Sequence, residues 1–392
     1  MFRICVVTGT RAEYGLLKPL LQLLRDDADF CLQIIATGAH LSPEFGYTIQ
    51  SITNDGFCVT ETLEMLLSSD SAVGVTKSLG LACIGFADAL NRLNPNLVIL
   101  LGDRYEILAA AQCALIAGIP IAHLHGGEIT EGAIDDSIRH AITKMSALHF
   151  ASTPNNCKRI VQMGENPHCV FHVGAIGLDN LSPELLATRE QLEQDLKLPL
   201  TGPVALVTLH PETCASPEMA EEHARTLVSA LDHFQELTII ITGANADAGG
   251  RRINNILEQY STARKQKSAT TFWTASLGQK RYLSLLSIAD VVIGNSSSGI
   301  IEAHSAGACC VNIGDRQKGR EQTPSVVNVP WNLESIVAAI RDALSGVQKP
   351  LLSQPSPYGK PGVAARILSI LKQQNFDEFK RKQFFSLKDV KQ

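Results

Sequence analysis

The residues able to do chemistry in this chain fall in short clusters, each following a run of apolar residues. The densest is His123-Leu-His-Gly-Gly-Glu128, followed by Asp135-Asp-Ser-Ile-Arg-His140. Carboxylates and imidazoles this close tune one another's pKa, so one group can serve as base and another as acid. His125 and Glu128 are the stronger candidates there, while His123 and His140 read as core or capping histidines. The glycine pair permits close backbone approach to a ligand. An HxH pair can chelate, but no third ligand follows at the usual spacing, so no metal is expected. In Leu101-Gly-Asp-Arg-Tyr-Glu106, Asp103 stands at the end of a strand-like run, placed for acid–base work or for capping the next helix.

Other clusters suit an anion. Val7-Thr-Gly-Thr-Arg-Ala-Glu-Tyr-Gly15 reads as a strand, a turn and a helix start. Free backbone N–H groups in that turn, together with Arg11, fit a phosphate. The turn is not GxGxxG, which leaves a dinucleotide little support. In the second half, Val207-Thr-Leu-His-Pro-Glu212 puts His210 at a strand tip, and a polar glycine-rich turn runs from Thr242 to Arg251. Gly294-Asn-Ser-Ser-Ser-Gly-Ile-Ile-Glu302 opens a helix with small hydroxylated residues suited to diphosphate, and Glu302 can accept from two ribose hydroxyls. Arg316 adds a cation.

These clusters need elements to position them. Apolar β-branched runs predict strands at 3–8, 32–37, 97–101, 119–124, 147–151 and 169–173, then at 204–209, 237–242, 270–273, 291–294 and 310–313. Helical segments lie between them, and the alternation predicts parallel α/β architecture. The rhythm breaks around 174–203. That places an N-terminal Rossmann-like domain at 1–178, a second at 179–375 and a polar tail with a frayed end at 376–392. Two such domains imply a ligand cleft at the carboxyl ends of their strands.

Bulk composition narrows the partners. The 392 residues are 45% hydrophobic and 19% charged, with a net charge of −5, which argues against nucleic acid. The apolar runs noted fall short of a membrane span, and Phe2–Thr8 gives way at once to Arg11 and Glu13, unlike a secretory leader. Ten scattered cysteines without CxxC spacing point to a reducing, cytoplasmic setting.

Taken in order, Gly9-Thr-Arg-Ala-Glu-Tyr14, Gly38-Ala-His40, Gly102-Asp-Arg104, the Gly-Gly-Glu…Asp-Asp-Ser-Ile-Arg-His-Ala-Ile-Thr-Lys block, His210-Pro211, Gly294–Glu302 and Arg316 resemble the hydrolysing branch of the UDP-N-acetylglucosamine 2-epimerases, over about the first 370 residues. The resemblance implies a GT-B fold, no cofactor and a homodimer. It assigns Asp103 and Asp135 as catalytic acids and Arg11 to the diphosphate. His210, Asn245, Ser296, Ser297, Glu302 and Arg316 become UDP contacts, His210 also being a catalytic candidate. Glu13, His40, Arg104 and Asp247 join them as substrate contacts. Many members read His-Ile-Glu-Gly-Gly-Glu where this chain has His-Leu-His-Gly-Gly-Glu, so either His125 or Glu128 takes the role of the missing glutamate. The implied reaction eliminates UDP to a 2-acetamidoglucal and hydrates it to the free 2-epimer. UDP-GlcNAc, yielding ManNAc, stands first as substrate. UDP-2,4-diacetamido-2,4,6-trideoxyglucose (UDP-N,N'-diacetylbacillosamine) stands second, with Met65–Leu67 as a possible apolar wall for it. A GT-B glycosyltransferase and a non-catalytic UDP-sugar binder are the rivals of other classes.

Overall fold

The computed structural model describes residues 1–69, 71–131, 134–212, 216–244, 249–266, 270–347, 349–380 and 382–387. Two compact units emerge. The first comprises Met1–Ile129, Ala133–Asp179 and Gly362–Gln392; the second, Thr130–Gly132 and Asn180–Pro361.

The first unit is built on seven strands: β1 (Phe2–Thr8), β2 (Phe30–Thr37), β3 (Glu61–Leu63), β4 (Leu97–Leu101), β5 (Ile121–Leu124), β6 (Leu148–Ala151) and β7 (Val170–His172). They form one parallel sheet in the order β3-β2-β1-β4-β5-β6-β7. Side chains alternate across it: Ile4 and Val6 join the core on one face, Cys5 and Val7 the core on the other. Burial on both faces is why these strands read as unbroken apolar runs. The second unit repeats the plan with β8 (Val204–Thr208), β9 (Thr238–Thr242), β10 (Thr271–Thr274), β11 (Val291–Gly294), β12 (Cys309–Ile313) and β13 (Val326–Val329). Its order is β10-β9-β8-β11-β12-β13, again parallel. In each sheet the order reverses beside the first strand, between β1 and β4 and between β8 and β11. Ligands of such folds bind outside the strand ends at these reversals.

Three differences from the sequence reading have physical causes. Strands β3 and β13 pair on one side only, and their short runs carry exposed residues (Thr62, Asn328), so they lack the apolar signature. The helix Ala72–Leu93 lies between β3 and β4, where the alternation predicts a helical segment. By length and composition alone it is apolar enough to cross a membrane, yet Ala82, Phe86, Ala89 and Leu90 are buried in the first unit's core. Met65 is buried in that same core with Leu66 packed against it, so Met65 is no free wall for a sugar.

The third difference is the end of the chain. The expected boundary at 375 gives way to a return at Gly362. The helix Val363–Gln373 buries Val363, Ala364, Ile367 and Leu371 against the helix Arg11–Asp26 of the first unit. Asp179 caps it, accepting from the N–H groups of Gly362, Val363 and Ala364 at 2.6–2.7 Å. Lys372 pairs with Asp27 and Asp29 at 2.8 Å. Beyond it the tail is not simply frayed. Lys382 reaches the buried Glu165 at 2.7 Å, and Phe385 N–H donates to the Gly164 carbonyl at 2.9 Å.

Candidate active site

Past the ends of β4 and β5, one buried arginine gathers two carboxylates and a backbone carbonyl. Arg139, in the helix Ile134–Met145, is 1% exposed. Its Nη2 donates to Asp103 just past β4, and its Nη1 donates to the Glu128 backbone carbonyl at 2.9 Å. The same Nη1 lies 3.4 Å from Asp136 Oδ1. A buried guanidinium demands such partners. Asp103 is thereby fixed by Arg139 rather than by capping the helix Tyr105–Ile116, whose N-cap is Arg104. Asp135 sits exposed on the first turn of the arginine's helix.

His125 and Glu128 stand together just past β5. Glu128 Oε1 is 2.7 Å from His125 Nδ1 and accepts from Ser152 Oγ at 2.7 Å. Asn156 Nδ2 donates in turn to Ser152 Oγ at 3.0 Å. The Ile176 N–H donates to His125 Nε2 at 3.3 Å. An acceptor nitrogen carries no proton, so the ring holds its proton on Nδ1 and donates it to Glu128. His125 adopts φ 64°, a left-handed conformation uncommon for a residue with a side chain. Both ring nitrogens are thus spent holding Glu128 and the chain at Ile176.

Expectations are corrected here at the glycine pair, the β1 turn and His40, while His123 is a core histidine as the sequence suggested. A Cβ on Gly126 would meet Thr143 Oγ1 at 2.8 Å, and one on Gly127 would meet the Asn156 carbonyl at 2.6 Å, so this glycine pair makes room for protein rather than ligand. His123 is fully buried, with ring nitrogens 2.7 Å from the Gly102 carbonyl and 3.1 Å from Thr143 Oγ1. Burial depresses its pKa to about 3. The HxH pair therefore does not converge, and among the described residues no three His, Cys, Asp or Glu group to hold a metal. The N–H groups expected to be free in the β1 turn are not: Gly9 and Thr10 donate to Glu13 Oε2 at 2.7 and 3.2 Å, and Glu13 N–H donates to Thr10 Oγ1, a capping box. Glu13 is consequently buried as part of the frame. His40, also expected at the substrate, is fully buried between Thr8 and Thr48, 3.1 and 2.9 Å away. Arg11 remains exposed on the first helical turn, and Arg104 is exposed beside Asp103.

The second reversal has its own hub, Asn295, fully buried at the end of β11. Its side chain accepts the His210 N–H at 2.8 Å and donates to the His210 carbonyl at 2.9 Å. Its own carbonyl accepts from Arg316 Nη1 at 3.1 Å and Gln317 Nε2 at 2.9 Å. One residue thus sets His210 and Arg316 beside Ser296 and Ser297. Gly294 is required just before it, since a Cβ there would meet the Thr208 carbonyl at 2.0 Å. Burial, with Arg316 nearby, lowers the His210 pKa to about 3, so the ring is neutral. Ser298 Oγ donates to Glu302 one turn later. Asn245 and Asp247 lie outside the described residues. Sequence reasoning overlooked Arg139 and Asn295. Arg139 lies four residues after Asp135 on one helical face, a spacing that offered a signal; the asparagine's polar neighbours gave none.

The chain is similar to known proteins over most of its length. Residues 22–372 match the family described as UDP-N-acetylglucosamine 2-epimerase. The chain is 43% identical over 84% of its length to the GDP/UDP-N,N'-diacetylbacillosamine 2-epimerase (hydrolyzing) of Campylobacter jejuni, covering 85% of that protein. It is 34% identical over 94% of its length to the UDP-N,N'-diacetylbacillosamine 2-epimerase (hydrolyzing) of Legionella pneumophila, covering 95% of that protein. In structure it resembles the Neisseria meningitidis UDP-GlcNAc 2-epimerase bound to UDP-GlcNAc, with a TM-score of 0.79 over 95% of this chain and 100% of that one, at 16% identity. The paired parallel sheets are accordingly a GT-B-like fold, and the chain belongs to the UDP-N-acetylglucosamine 2-epimerase family.

Proposed function

We propose that the protein is a hydrolysing 2-epimerase of a UDP-linked 2-acetamido sugar, releasing UDP and the free 2-epimer. The observation that carries this is the buried Arg139, which fixes Asp103 and the Glu128 loop at one strand-tip reversal. The weakly acidic C2 proton needs a base while an acid assists departure of UDP from C1. Asp103, Glu128 and Asp135 fill these roles, with His125 holding Glu128. Arg11 and Arg104 of the first unit, and Arg316 of the second, are the cations we assign to the diphosphate, whose growing charge such groups stabilise. Neutral His210 contributes a hydrogen bond, and Ser296, Ser297 and Glu302 hold the rest of the nucleotide. Water then adds to the 2-acetamidoglucal with C2 reprotonated on the opposite face.

Both substrates expected from the sequence fit this chemistry. The relatives at 43% and 34% identity favour UDP-N,N'-diacetylbacillosamine over UDP-GlcNAc. The deciding assay gives the protein each UDP-sugar without an acceptor: UDP release is expected, and release only with an acceptor would indicate a glycosyltransferase instead. The assembly we propose is a homodimer formed through the apolar outer face of the helix Ala72–Leu93, where Val73 and Ile84 are 65% and 68% exposed. Nine free cysteines among the described residues support a reducing, cytoplasmic setting.

A further inference from the structure

Beneath the β1 turn lie two buried carboxylates served by a single arginine. Glu106 is 1% exposed, and its Oε1 accepts from Arg104 Nε at 2.5 Å. A Cβ on Gly9 would sit 2.5 Å from that oxygen and one on Gly38 3.4 Å from it, so two glycines make space for this carboxylate. Glu13, 8% exposed, places Oε1 4.0 Å from the same Arg104 Nε. Glu13 Oε1 and Glu106 Oε2 are buried without a hydrogen-bond partner among the described residues. Among the described residues Arg104 hydrogen-bonds through Nε alone, and its side chain is 44% exposed.

The charges around this cluster do not balance with both acids ionised. Asp103 is taken by Arg139, and Arg11 points to solvent. His40 is neutral, its pKa lowered to about 4 by burial. Tyr105 is pushed up by burial and by Glu106, so it stays neutral as well. Two carboxylates therefore face one guanidinium. Burial, and then Glu106, push the Glu13 pKa up to about 8.

We propose that Glu106 is a positioning residue that clamps Arg104 by its Nε, leaving the terminal nitrogens as an outward donor fork for the substrate diphosphate, and that Glu13 carries the one proton that keeps this cluster from becoming net negative. This rests on the reading of Arg104 as a contact of the nucleotide-sugar. Loss of the Glu13 proton leaves two carboxylates against one guanidinium, a net negative cluster that weakens the grip of Arg104 on an anion.

Titration with UDP at pH 7 and pH 9.5 tests this, with acceptor-free UDP release measured in parallel. In the wild type, Kd is expected to rise about tenfold between the two pH values. Glu13→Gln, which cannot ionise, should bring that ratio close to one. Glu106→Ala should raise Kd about tenfold at pH 7 with a smaller effect on kcat than on KM, and adding Arg104→Ala should cost little more. An unaltered pH ratio in Glu13→Gln, or fully additive losses for Glu106→Ala and Arg104→Ala, would overturn the proposal. Should Glu106→Ala lose its cooperative melt, the Glu13→Gln ratio decides alone. Absence of acceptor-free UDP release would strike the epimerase reading and leave the Kd ratio to judge the clamp.

Discussion

His125 stands just past β5 beside Glu128, and its hydrogen bonds say what it does. Its Nδ1–H is given to Glu128 and its Nε2 accepts from Ile176, so it has no ring nitrogen left to move a substrate proton. We propose that the work falls to Glu128, held also by Ser152. A variant that keeps a short polar side chain and tolerates positive φ should therefore outperform one that keeps only the ring's bulk. His125→Asn is expected to lose about tenfold in kcat and His125→Phe a hundredfold or more. Steady-state kinetics with matched melting curves reads this, and equal losses in both variants would return the acid–base role to His125. The sequence made the choice between His125 and Glu128 visible and could not resolve it. A tautomer depends on Ile176, fifty-one residues away in the chain.

At the level of elements, strand tips and the turns after them were legible because each apolar run ends at a polar cluster. The identities of the hydrogen-bond partners were not. The β1 turn looked open to phosphate, and only the structure shows Glu13 closing it. The glycine pair after β5 likewise looked like a ligand approach, until Thr143 and Asn156 proved to fill the space. The tail gives a similar lesson. Residues that read as a charged, frayed end are tied to Glu165, which sits between Lys144, Lys382 and His149 at 2.7, 2.7 and 3.1 Å. Burial pushes the Glu165 pKa up, but His149 and the two lysines outweigh it and hold it at about 2, below its ordinary 4.5. A carboxylate depressed on folding stabilises above its unfolded pKa, and that contribution is lost as pH falls from about 4.5 toward 2. Glu165→Gln should thus cost about 2 kcal/mol at pH 7, with the gap to wild type closing below pH 4. Thermal melts across pH 2.5–7 measure it, and a gap independent of pH would mean the ion pairs contribute nothing.

Over the whole molecule, two sheets that share the order of their first six strands place the polar clusters at their strand ends. That much followed from the alternation of strands and helices. The return of the last helix to the first unit did not, because the polar contacts that fix Val363–Gln373 there, from Asp179 and from Asp27 and Asp29 to Lys372, are made by residues far away in the chain. The outer face of Ala72–Leu93 is the surface proposed to pair with a second copy. Ile84→Glu should halve the mass seen by light scattering while leaving the melt cooperative; an unchanged mass would remove that face from consideration. The central claim is proton exchange at C2 coupled to loss of UDP. Its most direct measurement is mass spectrometry of the free sugar formed from UDP-N,N'-diacetylbacillosamine and from UDP-GlcNAc in deuterated water. The account predicts a 2-epimerised sugar bearing one deuterium at C2; an unlabelled sugar of unchanged configuration would mean simple hydrolysis and contradict it.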